Sequence, residues 1–155
     1  MIREQSSLSR TMWLGTLASL CSTLVLARRG KTETGSWVAP TNAISHWLWG
    51  NRAAATDAPS WKYTALGYGI HHASATFWAA MYDRFSRKTL HEKPFVHHAA
   101  AATAMTAIAW TVDYQCTPER LKPGYEKRLS SPSLTGVYIG FAAGLALGSY
   151  LLNRR

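Results

Sequence analysis

Two pairs of adjacent histidines, His71-His72 and His97-His98, stand in stretches of chain, 63–82 and 94–112, that contain no Asp, Glu, Lys or Arg. Imidazole ligates metal ions and haem iron, and passes protons near neutral pH. With His46 and Asp83 the four histidines form the candidate polar site of this sequence. Spacing restricts what they can do together. If 62–83 and 94–114 are antiparallel neighbouring helices, His71 lies about twelve residues, roughly 18 Å, from the Asp83 end, and His97 about three residues, roughly 5 Å, from the Pro94 end. The pairs then differ in depth by roughly 13 Å, too far for one ion whose nitrogen ligands sit about 2 Å away. His97 or His98 can instead meet Asp83 or Tyr82 across the short 84–93 loop, and a helix at 40–50 can carry His46 toward the second long helix. The simplest expectation is a set of neutral imidazoles hydrogen-bonded inside a polar bundle, with no metal or other cofactor. Haem- or metal-based redox chemistry and a small proton-linked transporter are the alternatives. GxSxG, P-loop, HExxH and CxxC patterns are absent from the sequence, so no catalytic residue is assigned and enzymatic activity is not expected. Cys21 and Cys116 lie far apart and indicate neither a disulfide framework nor a metal pair.

The elements that must hold these side chains follow from where charge is missing. Of 155 residues 47% are hydrophobic and only 16% charged, which is lean in charge for a soluble protein. The mean hydropathy of −0.12 points the other way. Distribution decides between them: charges cluster, and between the clusters lie charge-free intervals at 11–27, 34–51, 63–82, 94–112 and 129–153. A soluble helix scatters charge along its exposed face, whereas a helix of roughly 17–25 uncharged residues crosses a bilayer. The expectation is an all-α polytopic membrane protein, one membrane domain over 1–155. Its four transmembrane helices, near 11–28, 62–83, 94–114 and 133–152, pack as an antiparallel bundle in the lipid bilayer. A signal peptide ending at Ala27 is the other reading of the first run; Arg28 and Arg29 directly after it favour a retained span. The net charge of +9 sits mostly at the ends of apolar runs, where lipid headgroups attract cations, and no groove-reading motif accompanies it, so nucleic acid is excluded as a partner.

The 34–51 interval is too broken to span. Pro40 can open a helix and Gly50 can close it, giving a short interfacial helix over 40–50 with Trp47 and Trp49 at headgroup depth. In the second span Leu66, Ile70, Ala73, Phe77 and Met81 form a lipid-facing stripe, with His71 and His72 on the opposite, inward side. The last span carries Gly136, Gly140, Gly144 and Gly148, one glycine every fourth residue, a smooth face for close helix packing. Its partner is either the small-residue faces of the second and third spans or the same face of a second copy, a homo-oligomer. An even number of spans places both termini on one side, and the short 84–93 loop with Arg84, Arg87, Lys88 and Lys93 points to the cytoplasm. Arg3, Arg10, Arg154 and Arg155 fall on that same side.

The strings "NAISHWLWG", "HHASATFWA" and "DYQCTPERLKPGYEKRLS" resemble the blocks of a family of small, uncharacterised bacterial inner-membrane proteins, over most of the chain from the first span onward. The resemblance implies a multi-pass inner-membrane location and a four-helix count. It implies no activity, and the function expected is that of a structural or accessory membrane component.

Overall fold

The computed structural model describes residues 6–154; Arg3 and Arg155 lie outside them. Every regular element among the described residues is helical. Four helices are long: α1 (Ser7–Thr34), α5 (Leu66–Ser86), α6 (Phe95–Thr111) and α7 (Ser131–Asn153). Three short ones, α2 (Ala39–Ile44), α3 (His46–Trp49) and α4 (Asn51–Ala54), fill the first connection.

Local signals account for the long helices' ends. The Ser6 hydroxyl accepts from Ser9 N at the start of α1, and Gly35, at φ 78°, closes it by donating to the Lys31 carbonyl. Ser60 accepts from Tyr63 N, and its own N–H donates to Thr64 Oγ1, which starts a π-helical turn (Trp61–Ala65) running straight into α5. Helix α6 likewise continues without a break into a second π-helical turn, Val112–Cys116. At α7 the cap comes from another helix: the Glu33 carboxylate of α1 accepts the Ser130 N–H at 2.7 Å and the Ser130 and Ser133 hydroxyls. A carboxylate there complements the helix dipole.

The long helices run up, down, up, down, with α1 and α6 parallel to each other and antiparallel to α5 and α7. The seam between α1 and α7 is the most extensive. A Cβ on Gly144 would stand 2.5 Å from the Leu17 carbonyl oxygen, one on Gly140 3.1 Å from that of Cys21, and one on Gly148 3.1 Å from Leu14 Cδ2. Gly136 leaves an ordinary 3.5 Å to Val25. The glycine face therefore lies on α1 of the same chain, and not on the second and third long helices as the sequence suggested. Helix α1 carries the small residues that admit it, Ala18, Cys21 and Ser22. The α1/α5 seam is tight at Gly15, where a Cβ would meet Thr76 Cα at 2.7 Å. Helices α5 and α6 meet sparsely.

The 40–50 segment departs from expectation. It is not one helix: it breaks at Ser45 and again at Gly50, whose φ is 60°. Asn42, Ser45 and His46 are buried. The cause is hydrogen bonding, since Asn42 Nδ2 donates to the Thr56 and Ala58 carbonyls and Thr64 Oγ1 donates to Asn42 Oδ1. This cap reaches α5 where Gly67 admits the Thr41 carbonyl oxygen. Trp47 is half-buried with Nε1 donating to the Lys122 carbonyl, and Trp49 is exposed beneath the Lys62 ammonium.

Candidate binding cavity and polar cluster

The sequence-derived site residues divide between two places. The first is a buried polar cluster at the end of the bundle next to the 87–94 loop. Arg10 of α1 donates from Nε (3.2 Å) and Nη2 (3.0 Å) to Asp83 Oδ1 of α5, and from Nη2 to Asn153 Oδ1 of α7 at 3.4 Å. Asn153 Nδ2 donates to the Ser149 carbonyl, and Ser149 Oγ lies 2.8 Å from His98 Nδ1 of α6. The Tyr82 hydroxyl donates to the His98 carbonyl at 3.4 Å. All four long helices thus contribute to one chain of polar contacts, and its members are nearly inaccessible: Arg10 6%, Asp83 4%, His98 0%, Asn153 4%. Arg10, expected among the headgroup-facing cations, is instead an internal ion-pair partner, because Asp83 would otherwise be a buried, unmatched charge.

The second place is the cavity left where α5 and α6 diverge, with a volume of about 460 Å3. Its walls come from α5 (Ile70, His71, Phe77, Trp78), Ala109 of α6 with Val112 and Asp113 of the π-helical turn that follows it, α7 (Val137, Tyr138, Phe141), Ser22 of α1, Trp47 of α3, and Tyr125 of the connection before α7. Two polar groups mark it. His71 Nε2 lies 2.8 Å from Ser22 Oγ, and Asp113 Oδ2 accepts from the Tyr138 hydroxyl at 2.6 Å. Ser22 Oγ also lies 2.8 Å from the Ala18 carbonyl, the usual i−4 acceptor for a helical serine, and 3.1 Å from that of Ser19. Tyr125 stands edge-on to His71, with ring centroids 6.5 Å apart. Burial pushes the Tyr125 phenol well above its usual range, so it stays a neutral donor.

The remaining histidines go elsewhere. His72 stacks on Tyr68 at 5.9 Å, His97 is exposed, and His46 Nδ1 meets the Ala43 carbonyl at 2.9 Å beside Gly124. The structure does not bring the two histidine pairs together: His71 belongs to the cavity, His98 to the polar cluster. Among the described residues no group of three or more His, Cys, Asp or Glu side chains could hold a metal ion.

Several participants escaped the sequence. Ser149 and Asn153, spaced i,i+4 in an otherwise apolar helix, are a legible signal that one face of α7 meets polar partners. Asp113 looked like the end of an apolar run, and its pairing with Tyr138 depends on a helix-to-helix register that spacing does not give. No family model, curated protein or solved structure matches the chain.

Proposed function

We propose that the chain is an integral membrane protein in which all four long helices cross the bilayer, and that it acts as a structural or accessory component rather than as a catalyst. The observation that carries this reading is the inverted polarity of the bundle. Over the charge-free stretches the outward side chains are uncharged and mostly apolar, among them Met12, Leu24, Phe77, Ile108, Ile139 and Leu147, with His97, Thr103, Thr111 and Thr135 as polar exceptions. Inside lie Arg10, Asp83, His98, Ser149 and Asn153. Exposed apolar side chains are ordinary on a soluble protein, but four helical stretches of this length without an exposed charge are not. In lipid, polar groups must turn to one another, which is the arrangement found.

Helices α1 and α7 are long and apolar enough to cross a membrane by themselves. Helix α5 is diluted by Gly67, Gly69, His71, His72 and Ser74, yet His71 faces Ser22 and the cavity rather than the outside. Helix α6 has 17 residues; with the π-helical turn that continues it the run extends to Cys116, long enough to cross a roughly 30 Å core at about 1.5 Å per residue. Both termini then share one side with the 87–94 loop, assigned to the cytoplasm on the basic residues of that loop. The bacterial inner membrane as the location rests on the resemblance of the three sequence blocks.

A carbene-generating reagent dissolved in the lipid phase tests the proposal. Adducts on the outward residues of all four helices, including Phe77 and Ile108, are expected. Adducts confined to α1 and α7 would contradict it.

A further inference from the structure

We propose that the cavity between α5 and α6 binds a lipophilic organic ammonium ion, an amine carrying apolar or aromatic substituents. Only the ligand's entry from the bilayer rests on the membrane reading above. The charge pattern comes first. Asp83, Glu33, Asp57 and Glu119 are each matched by a basic side chain: Arg10, Arg29, Arg128 and Lys122 respectively. Asp113 and Glu126 have no Lys or Arg partner among the described residues, in a chain of net charge +9. Asp113 is on the cavity wall with one oxygen engaged by Tyr138. Glu126 accepts from Gly124 N at 2.7 Å through Oε2, and its Oε1 is buried without a partner. Asp113 thus places a carboxyl without a basic partner on the cavity wall.

The rest of the wall suits a weakly hydrated cation. Trp47, Trp78, Tyr125 and Phe141 offer aromatic rings, whose faces attract ammonium groups. Ile70, Val112 and Val137 receive apolar substituents. A divalent metal ion needs several oxygen ligands at once, which this wall lacks. A neutral apolar guest would fill the aromatic part and leave Asp113 unmatched in a low-dielectric site. The volume of about 460 Å3 lies within the usual range for small-ligand sites.

The test uses the full chain reconstituted in nanodiscs, with benzyltriethylammonium as probe and its uncharged carbon analogue as control. Binding is followed by equilibrium dialysis and by the fluorescence of Trp47 and Trp78. Saturable binding of one cation per chain is expected, at least about tenfold tighter than the control. Asp113→Asn, which can keep the Tyr138 hydrogen bond, should erase that preference, Asp113→Glu should retain part of it, and Val112→Phe should block the cavity to both compounds. Thermal unfolding of each variant separates lost binding from lost fold. Equal affinity for the charged and uncharged probes, or no saturable binding by folded wild-type chain, overturns the proposal. If the chain fails to enter the discs, the membrane reading falls instead, and the same dialysis in buffer still decides the ligand.

Discussion

Replacing the four glycines of α7 one at a time by alanine should give a graded response set by the distances along the α1 seam. In a helix interior Gly→Ala gains about 0.8–1.0 kcal/mol from backbone propensity. At Gly136 nothing opposes that gain, since the new Cβ would meet Val25 Cγ1 at 3.5 Å. At Gly140 the added atom reaches Val25 Cγ2 at 3.0 Å and the Cys21 carbonyl oxygen at 3.1 Å, so a small shift cancels most of the gain. At Gly144 it would stand 2.5 Å from the Leu17 carbonyl oxygen and 2.6 Å from Ala18 Cα. Both are backbone atoms that cannot rotate away. The two helices must separate by roughly 1 Å, which forfeits a quarter to a half of each dispersion contact along the seam. Overpacking of this kind costs about 1–3 kcal/mol, and less than 1 kcal/mol of propensity offsets it. Gly144→Ala should therefore be net destabilised by up to about 2 kcal/mol, Gly140→Ala near neutral, and Gly136→Ala as stable as wild type or more so. Equilibrium unfolding in mixed micelles reads the order, and light scattering reports size. A Gly144→Ala variant as stable as Gly136→Ala would refute the packing account. A folded Gly144→Leu chain that merely halves in mass would place the glycine face between copies.

Arg10→Met should destabilise the fold by about 3–5 kcal/mol, because Asp83 is left buried and unpaired; the Arg10→Met, Asp83→Leu double variant should recover most of that loss in the same unfolding assay. Glu33, which lies beyond the charge-free stretch of α1, has its carboxyl held below its usual value of 4.5 by the Ser133 hydroxyl and then by the Ser130 backbone N–H. A depressed folded value means that the contribution of Glu33 is whole above pH 4.5 and is lost as the pH falls through the lower folded value. The melting temperature of wild type should drop over that interval by more than that of Glu33→Gln, and equal slopes would contradict the cap.

How far the sequence revealed this arrangement depended on the range of the interaction involved. The four long helices follow from charge-free intervals and from local punctuation such as Pro94, and both act within a few residues. The inward direction of His71 also followed, from the 100° step between residues on one helix. Partners did not follow. Gly144 announces a close neighbour, but nothing in its own helix tells α1 from α5 or from a second copy. Arg10 and Asp83 are 73 positions apart and look like two flanking charges until the register of α1 on α5 is known. The 40–50 segment misled because Pro40 and Gly50 mark the two ends of a single helix, while its conformation is set by Asn42 bonding to backbone at Thr56 and Ala58. The cavity lies at a divergence of two helices, which no single element encodes.

The sidedness of two loops tests the central claim most directly. In a Cys21→Ala background the exposed native Cys116 reports on the connection between α6 and α7, and Lys88→Cys reports on that between α5 and α6. Each is treated in sealed vesicles with a membrane-impermeant maleimide. If all four long helices cross, Cys116 and the cysteine placed at 88 must be labelled from opposite sides, with position 88 on the side of both termini. Labelling of both from the same side would mean that only α1 and α7 span, and would contradict the four-span account.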